Sequence, residues 1–189
     1  MWVAKRRSHP HLRIAMTETA AAPVTAQALS FRELLAYTDE ETRRWEAWFR
    51  HAGPAALRVS LGDAKWNTVG GLIYHIFMVE RRYAERLLGE PVTPYADRAP
   101  AELDEIFAVY PEGRSRLERY LAQARPEEWG EVITFETVSA GTLSASKRKI
   151  VAHALMHGIR HWAQIATALR QAGHGEQWMH DLLASPALA

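Results

Sequence analysis

The feature that most constrains this chain is a set of four long segments in which apolar residues recur every three or four positions. That spacing places apolar side chains along one stripe of a helix and leaves charges on the other side. In the first segment the stripe is Phe31, Leu34, Leu35, Thr38, Trp45, Trp48 and Phe49. A loop rich in Gly and Pro (51–63) leads to the second, with Val69, Leu72, Ile76, Val79, Tyr83 and Leu87, closed by Gly89 and Pro91. The third carries Leu103, Ile106, Phe107, Tyr110, Leu117 and Leu121, and Pro111 should kink or split it. The fourth covers 146–171, with Ile150, Ala154, Gly158, Ile165 and Leu169 inward and Gly173 as its stop. Only 131–143, β-branched and aromatic around Ser139-Ala140-Gly141, has strand character, and it is too small for a sheet domain. The expected fold is therefore all-α: a four-helix bundle with a small hairpin or extended insert between helices three and four. Trp178 and Leu182-Leu183 suggest a short docking helix at the end.

At 189 residues the chain fits one domain with a core that needs no covalent staples. We expect that domain over 29–189, preceded by a disordered tail over 1–28 or by an over-extended start with Met16 as the true beginning. The opening has basic residues and an Ala-rich stretch but lacks the continuous apolar region of an export signal. No apolar run approaches the ~20 residues that span a bilayer, so the expectation is a soluble cytoplasmic protein with no membrane partner.

Charge narrows the partners further. The formal net charge is +1, but Lys5, Arg6, Arg7 and Arg13 precede every acidic residue. Without those four, 19 Lys and Arg face 22 Asp and Glu, so the folded part lacks the basic excess that phosphate-backbone binding relies on. Nucleic acid is not an expected partner. With no cysteine there is no disulfide, no nucleophilic thiol and no thiolate-bound metal. A metal here would have to sit on nitrogen and oxygen.

The fourth segment offers the nitrogens. His153, His157 and His161 follow one another at intervals of four, so successive members are offset by about 40° and rise about 6 Å. Neighbours in this ladder can chelate one ion, but the two ends are about 12 Å apart along the axis, whereas metal–nitrogen bonds are about 2.0–2.1 Å. One end must do something else. Two imidazoles from one helix leave an ion under-coordinated, and His75, on the apolar face of the second segment, is the histidine on the inner side of another helix. A lone inward histidine is ordinarily a core residue with satisfied nitrogens; several together would leave a bundle with many buried imidazole nitrogens in need of partners.

Two blocks give the pattern a family resemblance: G-G-L-I-Y-H-I-F-M-V-E-R-R-Y-A-E-R-L-L-G-E around His75, and H-A-L-M-H-G-I-R-H-W-A-Q-I-A-T-A-L-R-Q-A-G-H in the fourth segment. Together with the order of elements, they resemble the DinB family of bacterial four-helix-bundle proteins over residues 30–174. The resemblance implies one divalent ion, nickel or zinc, held by His75, His157 and His161. His153 and Gln164 are then residues that support the ligands or the core without binding the ion themselves. The chain departs from the family in reading L-L-A-Y-T-D-E-E-T in helix one, where Trp and Asn are common, and Trp162 where Arg often follows the last histidine.

Three neutral imidazoles leave an ion its full double charge and at least one open position, able to favour a bound thiolate or hydroxide or to polarise a carbonyl. Some relatives look like thiol-dependent S-transferases, which suits a chain whose sulfur must arrive with a small-molecule thiol. Metal-assisted hydrolysis would need a carboxylate base; Glu80, rotated about 140° from His75, is expected on the solvated surface. The alternative of another class is a non-catalytic, stress-associated metal-binding scaffold or dimer. Homodimers are common in the family. Ser146-Lys147-Arg148-Lys149 is read as a solvated face, and Trp45, Trp48 and Phe49 as core or dimer face.

Overall fold

A computed structural model describes residues 28–63, 65–138, 140–175 and 178–188. The expected tail over 1–28 and its Met16 lie, apart from residue 28, outside the described residues. Helix α1 (Phe31–Ala52) starts from a reciprocal cap: the Ser30 hydroxyl accepts from the Glu33 amide at 3.2 Å, and the Glu33 carboxylate accepts from the Ser30 amide at 2.7 Å. Such a cap contributes about 1 kcal/mol. Gly53 ends α1, and Pro54 immediately opens a single turn, α2 (Pro54–Leu57), inside the stretch expected to be loop. Thr68 caps α3 (Val69–Leu88) by accepting from the Gly71 amide at 3.1 Å. Gly89, at φ 70°, takes the left-handed conformation that ends it.

The third expected helix is two: α4 (Leu103–Phe107) and α5 (Tyr110–Gln123). Pro111 sits in the first turn of α5, where its missing N–H leaves no hydrogen bond unmade. The count of four is thus amended by α2 and by this split, and the chain is mostly helical with one small two-stranded sheet. That sheet pairs β1 (Val132–Thr137) with β2 (Gly141–Ser146) antiparallel, from Val132 opposite Ser146 to Thr137 opposite Gly141. It runs further than the 131–143 expected, and its last residue, Ser146, caps α6 (Lys147–Gln171). Among the described residues no helix is long and apolar enough to cross a membrane.

Helix α3 packs against both α5 and α6, and α1 packs against α6. The α3–α5 seam is close: a Cβ on Gly113 would lie 2.8 Å from the Arg81 backbone nitrogen. Around α3 the core has two parts. One gathers Trp45, Phe49, Ile73, Phe77, Trp162 and Ile165; the other gathers Ala84, Leu117, Tyr120, Ile150 and Leu155. Fully burying one such large side chain stabilises the fold by about 1.5–3 kcal/mol. Trp162, the residue that departs from the family pattern, is buried and stacks on Trp45 at 5.3 Å between centroids. Trp45 and Phe49 are core and Trp48 is partly buried against it.

The C-terminal segment docks, but not as the expected helix. Trp178 donates to Glu41 Oε1 and His180 Nδ1 lies against Glu41 Oε2, each at 2.9 Å. His180 also stacks on Trp45 at 4.9 Å. Leu182–Ala184 is a single 3₁₀ turn, and Leu183 is 95% exposed. Docking joins this aromatic pair and a buried carboxylate, a hydrogen bond from the Tyr37 hydroxyl to the His180 carbonyl at 3.0 Å, and a second 3₁₀ turn, Pro186–Leu188, packed against α1. The basic start of α6 divides as well: Lys147 pairs with Glu131 at 2.8 Å, while Arg148 and Lys149 are exposed.

Candidate metal centre

Helix α3 carries His75 on the stripe of Leu72 and Val79, both buried, and turns it towards α6. There His157 and His161 sit one turn apart on the facing side, so that the ring of His75 lies 5.0 Å from that of His157 and 5.5 Å from that of His161. Each of the three is half-buried and offers one nitrogen, and those nitrogens all lie within 4.8 Å of one another. The Nε2 atoms of His157 and His161 are 3.1 Å apart. Two ligands on one ion with bonds of about 2.0–2.1 Å stand about 3.0–3.4 Å from each other, so this pair already has a chelating separation.

The outer nitrogens are held. His161 Nδ1 is 3.1 Å from Gln164 Oε1, and since a carboxamide oxygen can only accept, Nδ1 carries the proton and Nε2 is left bare. His75 Nδ1 is 3.3 Å from the Tyr95 hydroxyl, and Trp66 stacks on the same ring at 5.6 Å. His157 Nδ1 is buried and has no hydrogen-bond partner. Burial is the main cause that lowers the proton affinity of all three imidazoles. For His75 it acts together with His161 and Lys65 to bring the pKa to about 4. The rings are therefore neutral at pH 7, as ligands must be. The neutral His157 and His161 nitrogens that face each other at 3.1 Å, together with one from His75, form a donor set that fits a divalent ion.

His153 stands apart. Its ring is 5.4 Å from that of His157, on the far side from His161, and packs edge-on against Tyr83 at 5.2 Å. It lines, with His75 and His157, a cavity of about 300 Å³ bounded by α3, α6, the Trp66 and Tyr95 loops and the hairpin tip. Gln164 lies at hydrogen-bond distance from His161. Glu80 is a correction: it is 7% exposed, not solvated, and its Oε2 accepts from Arg114 at 3.0 Å. The rotation away from His75 is real, but the far side of α3 faces α5 rather than water. Tyr95 and Trp66 were not found from the sequence, because loop residues carry no periodicity. Arg82 and Arg86 were also missed, although their intervals of seven and eleven from His75 place them on its face of the helix.

Fold and site together define a mostly helical protein whose facing helices present a three-histidine group able to hold a metal ion. The chain belongs to the DinB family, whose model matches residues 17–186. No curated protein matches it.

Proposed function

We propose that this chain is a four-helix bundle, built on α1, α3, α5 and α6, that binds one divalent ion, nickel or zinc, through His75, His157 and His161 and serves a thiol-dependent S-transferase-like reaction on a small molecule. The observation that carries this reading is that two of the three histidines, His75 and His157, line a cavity of about 300 Å³, large enough for a small molecule. An ion held there by neutral imidazoles favours the thiolate of a thiol that reaches it. The chain's own residues prepare the site: Gln164 and Tyr95 fix imidazole orientation, Trp66 shields one face of His75, and His153 is placed to contact whatever occupies the cavity.

The hydrolytic alternative lacks support, because no Asp or Glu lines this cavity among the described residues. A purely structural ion would be expected in a closed site rather than beside an open cavity. The test is a conjugation assay with zinc- or nickel-loaded protein, a set of low-molecular-weight thiols and a chloride-bearing fluorogenic electrophile, in which a carbon–sulfur bond forms as chloride leaves. The expected result is a rate above that in solution, lost on chelation and in His157→Ala. The solution rate with every thiol, from protein carrying one ion per chain, would refute the transferase reading.

A further inference from the structure

The cavity next to the histidines has a charge pattern that the metal reading leaves unexplained. Along α3, His75, Val79, Arg82, Tyr83 and Arg86 form one wall, and Arg82 lies two turns, about 10 Å, from His75 along the helix. Arg82 stacks over the Tyr95 ring at 4.9 Å and Arg86 over Phe135 at 4.9 Å. Lys65, from the loop opposite, lies 5.8 Å from the centre of the same Tyr95 ring.

Among the described residues none of these three cations has a carboxylate at ion-pair distance, whereas their neighbour Arg81 pairs with Glu85 at 2.9 Å. The hydrogen bonds they make go to neutral carbonyls. Arg82 donates to Thr93, and Arg86 donates to Arg82 at 3.1 Å and to Glu136 at 2.9 Å. Carbonyls orient a guanidinium without neutralising it. Of the nearby carboxylates, Glu85 is taken by Arg81 and Thr93, while Glu136, which lines the outer groove, accepts from the Thr142 hydroxyl and is not at ion-pair distance from either arginine. Burial first, and then the adjacent Arg82, hold the Arg86 guanidinium below its ordinary proton affinity, against the opposite pull of Tyr83, Tyr95 and Glu85.

Placement gives an orientation. Arg82 and Arg86 line both the inner cavity and a wider groove outside it that includes Val92, Pro94 and Phe135. They stand where the two meet, while the inner walls are flat and apolar, with Trp66, Tyr95, Val79 and Leu143. We infer that the cavity's ligand is a small carboxylate with a flat apolar body, its carboxylate held at the mouth by Arg82 and Arg86 and its far end directed at His75 and His157. The anion contact stands on the cavity alone; that the far end meets a metal rests on the function proposed above.

Benzoate, uncharged benzamide and phenyl phosphate serve as probes, titrated by ligand-observed NMR and calorimetry into metal-free and zinc-loaded protein with zinc content measured in every sample. Wild type is compared with Arg82→Gln/Arg86→Gln and with Lys65→Gln, an exposed site that keeps the comparison usable if the double variant folds poorly. We expect benzoate to bind both forms about tenfold or more tighter than benzamide, as a charged hydrogen bond implies. That preference should vanish in the double variant and shrink in Lys65→Gln, with zinc content unchanged. In cobalt-loaded protein the para proton of benzoate should relax faster than the ortho protons.

A benzoate preference that survives the arginine replacements, or that arises only with zinc bound, would overturn the inference, because the carboxylate would then be a metal ligand. Phenyl phosphate binding tighter than benzoate would overturn the assignment to carboxylates. One zinc per chain with no preference for benzoate sinks the anion site alone, whereas no zinc with an arginine-dependent preference sinks the metal reading alone.

Discussion

The two sides of α3 carry polar groups in opposite states. Towards α5, Glu80 is paired with Arg114 at 3.0 Å, and Glu85, 2% exposed, accepts from Arg81, from the Thr93 amide and from the Thr93 hydroxyl. Towards α6 and the hairpin, His75, Arg82 and Arg86 have neutral partners only, and His157 Nδ1 has none. Burying charge is tolerable when opposite charges meet, as on the first side, where Glu80 and Arg114 pair although Glu80 Oε1 and Arg114 Nε have no hydrogen-bond partner. On the second side the imidazoles and the two arginines meet no opposite charge among the described residues, and that is where a group from outside the chain can complete them.

The largest test of this contrast is on the closed side. Burial pushes the Glu80 carboxyl up and Arg114 pulls it back, so Arg114→Met strands a buried acid and should cost about 3–5 kcal/mol in urea unfolding. The double replacement Glu80→Leu/Arg114→Met should recover most of that loss. A single-variant cost no larger than that of an exposed pair would erase the distinction. Next comes packing: Gly113→Ala forces a Cβ to within 2.8 Å of α3 backbone and should cost about 1–3 kcal/mol. At Gly158, on the α6 seam, the nearest atom to an added Cβ is Ile76 Cγ2 at 3.5 Å, and Ala there should be neutral or slightly stabilising.

The smallest of the destabilising effects comes with a pH slope. Burial raises the Glu85 carboxyl, but the Thr93 hydroxyl and amide together with Arg81 outweigh it and leave its pKa below the ordinary value of 4.5. A depressed folded pKa gives stability that is complete above 4.5 and fades as pH falls through the folded value. Glu85→Gln should flatten the slope below that point and cost about 1–2 kcal/mol at pH 7, read from urea midpoints against pH.

What could be read from the sequence follows the same division of the molecule. Helices α1, α3 and α6, with Gly89 as a stop and Pro111 as a break, were legible because apolar spacing and backbone restriction act locally. The turn Pro54–Leu57 was not, since one turn is too short to show a period. Glu80 was misread because projecting a helix from one histidine assumes one wet side, and α3 lies between α5 and α6. The histidines were legible from their interval of four and from family resemblance. Tyr95 and Trp66 reach the site through loops, which no local pattern encodes, whereas the arginine pair was encoded by its intervals from His75 along α3 and was missed. Leu182 and Leu183 misled for a related reason: docking of the end uses Glu41, about 140 positions away in sequence.

The central claim is that the open side of α3 is completed by a metal ion. Elemental analysis of tag-free protein after incubation with zinc or nickel and gel filtration, wild type beside His157→Ala and Glu80→Gln, tests it most directly. The account predicts about one ion per chain in wild type and in Glu80→Gln, and none in folded His157→Ala. Metal-free wild type, or equal metal in His157→Ala, would contradict it and return the three histidines to the core.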